Sequence, residues 1–246
     1  LQLRGVTVPI YPTNTAAQSA YIIDNADVKV LFVGEQPQFD AAVSIFDECK
    51  QLELIVAMSD DIDLGDHAFA MTWKDFVAKG DVSHQAELET RLEHAQEEDL
   101  LTLIYTSGTT GQPKGVMLDY ANISAQLEGH DERLSLTEDD VSLCFLPLSH
   151  VFERAWTFYV LYKGGTNCYL QDTMQVRDAL SEVRPTVMSA VPRFYEKIFS
   201  AIHEKVSRAP FHRKIMFTWA VNMGAKMAAC HQENRKPSLM LRKSYA

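Results

Sequence analysis

Apolar and polar positions along this chain follow two rhythms. Short apolar runs at Val6–Ile10, Lys29–Gly34, Leu54–Met58, Leu101–Tyr105, Val141–Leu146, Asn167–Leu170 and Val187–Val191 have the length and composition of strands. Between them, Thr15–Asn25, Gln38–Lys50, Tyr120–Arg133, Val151–Tyr162 and Met174–Val183 carry helical spacing. Thr15 and Asp172 are the expected N-caps, and Gly164-Gly165 is a stop signal. Such alternation predicts an α/β fold, with a largely parallel sheet layered against flanking helices. Two longer helical patterns follow Pro192 and Pro210. The first sets Phe194, Ile198, Phe199, Ile202 and Val206 on one face, and the second runs from Phe211 towards Cys230. Residues 59–99 are acidic and are expected to line the surface. Glu97-Glu98-Asp99 marks the expected division between a first α/β portion, residues 1–99, and a second, residues 100–246.

One segment breaks both rhythms. In LTLIYTSGTTGQPKGVML, residues 101–118, eight of the ten residues from Thr106 to Gly115 are Ser, Thr, Gly or Lys. A strand ending in such a run leaves backbone N–H groups that need acceptors. Glycines let successive N–H groups face inward as a concave anion site. The hydroxyls of Thr106, Ser107, Thr109 and Thr110 add donors, and Lys114 adds a mobile cation. Phosphate matches that set. The loop is not a Walker A motif, because Pro113 stands where the second glycine belongs and Gly115 replaces the Ser or Thr. Gly115–Tyr120 alternates like a strand, so no helix dipole is implied behind the phosphates. A plain hairpin tip would be shorter and would carry Asn-Gly or Asp-Gly.

Composition narrows the class. With 246 residues and 46% hydrophobic content, the chain has ample material for a core. No apolar run approaches the roughly 18 residues of a membrane span. The four cysteines, Cys49, Cys144, Cys168 and Cys230, are widely spaced without C-x-x-C pairs, so neither a disulfide framework nor a zinc site is expected, and Cys144 and Cys168 read as small core residues. Reduced cytosol is the expected compartment. The net charge of −10 is uneven: residues 193–246 carry eleven Lys or Arg against Glu196, Glu204 and Glu233, a balance of +8, which leaves −18 on residues 1–192. That distribution argues against nucleic-acid binding. The basic tail reads as a solvated helical face, with anionic lipid or a polyphosphate as the alternative contact. The chain begins without Met and both ends interrupt a pattern, so a fragment incomplete at both ends is expected.

YTSGTTGQPKGVML resembles the signature loop of the adenylate-forming (AMP-binding) superfamily, which includes acyl-CoA synthetases. VTVPIYPTNTAAQSAYIIDNADVKVLFV resembles the early α/β segment of those enzymes. LPLSHVFER and VMSAVPRFYEKI are most similar to the long-chain fatty acyl-CoA synthetase branch. The resemblance implies the large-domain fold of that superfamily. It also implies ATP-dependent activation of a fatty acid to acyl-AMP and transfer to coenzyme A. On this basis Thr106, Ser107, Gly108, Thr109, Thr110 and Gly111 wrap the β- and γ-phosphates with Lys114 assisting, and Mg²⁺ bridges phosphate oxygens. His150 takes the place of a catalytic histidine beside the reacting carboxylate, against the plainer reading of a helix-end residue satisfied by backbone. A ligase for another carboxylate, or a non-catalytic nucleotide-binding module, are the alternatives. A fatty acid substrate also makes peripheral membrane contact an expectation.

Smaller features are read conservatively. Glu153 and Arg154 are expected as a surface pair ahead of a role in orienting the site, and Arg193 as an i, i+3 partner of Glu196 ahead of a phosphate contact. Phe152, Trp156 and Tyr159 recur on one helical side and read as core ahead of an acyl-tunnel wall. The family's aromatic-Gly-x-Thr-Glu, Thr-Gly-Asp and late Lys motifs are not among these residues. The chain alone is therefore expected to be inactive.

Overall fold

A computed structural model describes residues 4–106 and 112–238. The chain falls into two compact units, Leu1–Ser189 and Ala190–Ala246. In the first, α1 (Ala16–Asn25) starts at Thr15, whose hydroxyl accepts from the Gln18 N–H while the Gln18 side chain accepts from the Thr15 N–H. That reciprocal cap satisfies two donors left over at the helix start. Ala20 and Ile23 of α1 pack against Ile45 of α2 (Gln36–Ile45) and against Cys49 and Leu52 beyond it. On the other side of α2, Phe39 and Ala42 meet Val33 of β1 (Val30–Val33) and Ile55 and Ala57 of β2 (Leu54–Ala57). Burying an Ile or Phe of this kind is worth about 1.5–3 kcal/mol. β1 and β2 run parallel, and β3 (Ala70–Thr72) adds to β2, also parallel.

Sequence reasoning misses β3, α3 (Trp73–Ala78) and α4 (Gln85–Glu93). β3 is only three residues long, and neither helix buries a residue, so no periodicity betrays them. The acidic stretch does lie at the surface, as its charge suggests. A correction also applies to two expected strands. Val6–Ile10 forms a single bridge, Thr7 with Thr102, and Val187–Val191 a single bridge, Val187 with Ser142. Pro9 removes a donor from the first, and Pro185 and Pro192 bracket the second, so neither can extend a ladder.

The remaining strands make two further small sheets in place of one large one. β4 (Leu100–Thr106) and β5 (Lys114–Asp119) form an antiparallel hairpin. β6 (Val141–Cys144) and β7 (Thr166–Tyr169) run parallel, joined through α6 (Val151–Tyr162). α5 (Tyr120–Asp131) follows the hairpin, capped by Asp119, which accepts from the Asn122 N–H at 2.8 Å. The α6–β7 turn needs Gly164, at φ 74°, and Gly165, where a β-carbon would come within 3.1 Å of the Asp140 carbonyl oxygen. Asp172 caps a 3-10 turn ahead of α7 (Val176–Val183), as the sequence suggests. Cys144 is buried, and Cys168 is partly buried on β7.

The second unit contains α8 (Pro192–Ser207) and α9 (Phe211–Gln232). Pro192 sits at the first position of α8, where its missing N–H costs nothing. The rings of His203 and Phe217 meet edge to face with centroids 5.4 Å apart and join the two helices. Tyr195, Phe199, Phe211 and Trp219 stay exposed. Among the described residues no helix is long and apolar enough to cross a membrane.

Candidate active site

The donor-rich segment lies in sequence between β4 and β5, which pair as a hairpin. Its stem pairs Thr106 with Lys114, Tyr105 with Gly115 and Ile104 with Val116. β4 is the buried strand, with Leu101, Thr102, Ile104 and Tyr105 inside, while Thr106 and Lys114 at the rim are exposed. Ser107, Gly108, Thr109, Thr110 and Gly111 lie outside the described residues. Lys114 is exposed and forms no ion pair among the described residues.

Two tethers hold this hairpin, and neither is legible in the sequence. The Tyr105 hydroxyl donates to Asn25 Oδ1 at 2.6 Å, tying the strand end nearest the loop to the last residue of α1. Burial pushes the Tyr105 phenol up, so it stays a donor. On the other side, the Thr7 N–H donates to the Leu101 carbonyl at 3.1 Å and the Leu103 N–H returns to the Thr7 carbonyl at 3.0 Å. The Thr102 hydroxyl donates to that same carbonyl at 2.7 Å. Arg154 Nη2, on α6, then reaches Thr7 Oγ1 at 3.0 Å. The helix capped by His150 is thereby fastened to β4, the strand that ends at Thr106.

His150 caps α6: its Nδ1 accepts from the Phe152 N–H at 3.1 Å. The backbone-satisfied reading of this residue therefore describes one of its nitrogens. With Nδ1 engaged as acceptor, the neutral ring carries its proton on Nε2. The exposed ring thus keeps one donor free of that cap.

Glu153 and Arg154 are not the expected surface pair. Glu153 is 0% exposed and accepts from the Ser189 hydroxyl at 2.5 Å, while Arg154 turns to Thr7. Consecutive residues lie about 100° apart around a helix, so the two side chains serve different neighbours. Burial lowers the Arg154 pKa and raises that of Glu153. Arg193 does pair with Glu196, at 2.8 Å, as the spacing suggests. The aromatic stripe divides. Tyr159 is 0% exposed and Trp156 bonds the Ser142 hydroxyl at 2.9 Å, so both belong to the core, whereas Phe152 is exposed. Among the described residues no group of three or more His, Cys, Asp or Glu is placed to hold a metal ion.

The described residues form an α/β framework of small, mostly parallel sheets, with the β4–β5 hairpin carrying the glycine- and hydroxyl-rich segment between Thr106 and Lys114. Comparison with known proteins narrows this. The family model described as AMP-binding enzyme matches residues 1–237. The "Probable CoA ligase CCL6" of Humulus lupulus is 33% identical over 230 residues, covering 87% of this chain and 34% of that protein. "Long chain acyl-CoA synthetase 2" of Arabidopsis thaliana is 30% identical over 252 residues, covering 96% of this chain and 37% of that protein. A putative long-chain-fatty-acid CoA ligase from Rhodopseudomonas palustris shares the fold, with a TM-score of 0.63 at 19% identity over 79% of this chain and 46% of that one. The chain belongs to the AMP-binding enzyme family. It spans about a third of the length of these curated relatives.

Proposed function

We propose that the protein containing this chain is a long-chain fatty acid–CoA ligase. It joins a fatty carboxylate to the α-phosphate of ATP with release of pyrophosphate, then passes the acyl group to the thiol of coenzyme A. The observation that carries this reading is the hairpin loop from Thr106 to Lys114, held from both sides, in a chain whose named relatives include long-chain acyl-CoA synthetases.

The chemistry follows from charge. A free carboxylate is a poor acyl donor because oxide is a poor leaving group, and the mixed anhydride replaces it with AMP. Bringing a carboxylate to a polyphosphate sets two anions together, so neutralisation and positioning carry most of the catalysis. In this proposal Thr106, Ser107, Gly108, Thr109, Thr110 and Gly111 hold the β- and γ-phosphates and Lys114 offsets their charge. His150 donates from Nε2 towards the reacting carboxylate or phosphate. In this reading Mg²⁺ would accompany the nucleotide and supply further charge neutralisation. The enzyme works in the cytoplasm in this reading, and exposed Tyr195 and Phe199 beside Lys197 on α8 would contact a bilayer peripherally.

The test is ATP-dependent pyrophosphate release by the protein containing this chain, with palmitate, acetate and benzoate compared. Release selective for palmitate is expected. Lys114→Ala is expected to lower it about 10²-fold, the range for losing one preorganised charge-stabilising donor. Release selective for benzoate would move the substrate to an aryl acid. No release with any acid, from a folded protein that still binds ATP, would favour a binding module. Taken alone, the 246-residue chain is expected to form no acyl-CoA, since the aromatic-Gly-x-Thr-Glu, Thr-Gly-Asp and late Lys motifs are not among its residues. A thioester product from it would refute that expectation.

A further inference from the structure

The first turn of α6 holds an acid that the proposed phosphate chemistry does not use. Glu153 lies three residues past the cap, where a carboxylate ordinarily reaches back to the N-cap N–H. Here the His150 N–H donates to the Pro147 carbonyl at 3.0 Å instead. Glu153 is wholly buried, its Oε2 accepting from the Ser189 hydroxyl at 2.5 Å. The Cys144 thiol on β6 is its second partner. Oε1 is closed off from solvent and has no partner. One turn further along α6, Thr157 bonds Cys144 and accepts from Asn167 Nδ2 of β7 at 3.2 Å. A buried polar chain therefore runs from β7 through α6 and β6 to the stretch that ends at Ser189.

An ionised carboxylate in such a place needs a cation or several donors. Glu153 has two donors, one of them a weak thiol, and it forms no ion pair among the described residues. The groups facing it are few. From β6 comes Cys144, whose thiol burial pushes up to about 12, so it stays protonated. From its own helix comes Arg154, which turns to a different neighbour: its Nη2 bonds Thr7, its buried Nη1 has no partner, and it forms no ion pair with Glu153 among the described residues. The 187–189 stretch offers Ser189, which does not titrate in this range. The α6 N-terminus favours the anion, yet burial outweighs it and weakens the acid.

We propose that Glu153 is kept as a neutral carboxylic acid and acts as a positioning residue, fastening the stretch that ends at Ser189 to the first turn of α6 and so seating the His150-capped end of that helix. This inference stands apart from the ligase reaction, and its test uses no substrate.

The sign of the linkage is definite. Folded protein binds a proton at Glu153 that unfolded protein releases above about pH 4.3, the ordinary Glu value. Stability from this group is therefore full below that pH and falls as pH rises towards the folded-state value. In urea unfolding of the protein containing this chain, the unfolding constant of the wild type should rise with pH relative to Glu153→Gln, by up to about tenfold per pH unit between the ordinary Glu value and the folded-state value. The neutral amide has no such slope. Infrared spectra at pH 7 should show a carboxylic acid C=O band in the wild type that is missing in Glu153→Gln. Parallel unfolding profiles with no such band would overturn the proposal. Should Glu153→Gln fail to fold, Ser189→Ala decides: loss of its hydroxyl must shift the acid band, and a band that is unshifted or absent overturns the proposal equally.

Discussion

Replacing Tyr159 with alanine is expected to destabilise the first unit by about 3–5 kcal/mol, a large part of the 5–15 kcal/mol that ordinarily separates folded from unfolded chains. The side chain has no exposed surface and packs with Leu136, Val160, Trp156 and Val187. Its ring centroid lies 5.2 Å from that of His130 and 6.1 Å from that of Trp156. Its hydroxyl donates to Asp131 Oδ1 at 3.2 Å, with the Leu134 carbonyl at 3.3 Å, and Asp131 also accepts from Lys163 at 2.7 Å. Most of the loss should come from the ring, because Asp131 keeps its lysine. Tyr159→Phe, which removes only the hydroxyl, is therefore expected to cost about 1 kcal/mol. Urea unfolding of both variants separates the two contributions. A cost below about 1 kcal/mol for the alanine variant would mean that this ring does not seat α6.

Gly115→Val is expected to have the largest effect on the phosphate loop. A β-carbon at Gly115 would lie 3.0 Å from Tyr105 Cζ and 3.2 Å from its Cε2 and Oη. The ring cannot yield freely, because its hydroxyl is held by Asn25 at 2.6 Å and the side chain is buried. Valine adds two methyls to that collision. Overpacking of this sort costs about 1–3 kcal/mol, and it falls on the pair next to Thr106 and Lys114 at the loop mouth. Pyrophosphate release should drop by about tenfold or more, at 1.4 kcal/mol per decade, with little change in the α1–α2 core. A double variant gives the check. Tyr105→Leu combined with Gly115→Ala should lose less than the sum of the two single changes, because the clash disappears with the ring. Strict additivity would place the constraint on Gly115 elsewhere.

The chain's local patterns foretold most of the regular structure. Apolar runs marked β1, β2, β4 and β6, and Thr15 and Asp172 marked their caps, because burial and capping are read from neighbours in sequence. Gly115–Tyr120 announced β5 by its alternation. The short β3 and the surface helices α3 and α4 escaped, since elements that bury little leave no periodic trace. The hydroxyls, glycines and cation between Thr106 and Lys114 were visible as residue types, because an anion site calls for N–H groups, hydroxyls and a cation within a few residues.

Sequence alone could not say where a side chain separated by a hundred residues would land. Arg154 and Thr7 stand 147 positions apart, Tyr105 and Asn25 stand 80 apart, and Glu153 and Ser189 stand 36 apart. Charge spacing suggested a surface pair at Glu153 and Arg154, and packing overruled it by drawing the two residues to different partners. What the sequence determined was where hydroxyls, glycines and a lysine cluster in one segment and which stretches form most of the helices and strands. The tertiary structure decided that the phosphate hairpin is tied to both α1 and α6 and that an acid in the LPLSHVFER segment is buried. Those outcomes depend on which surfaces meet when the apolar faces of distant elements close over one another.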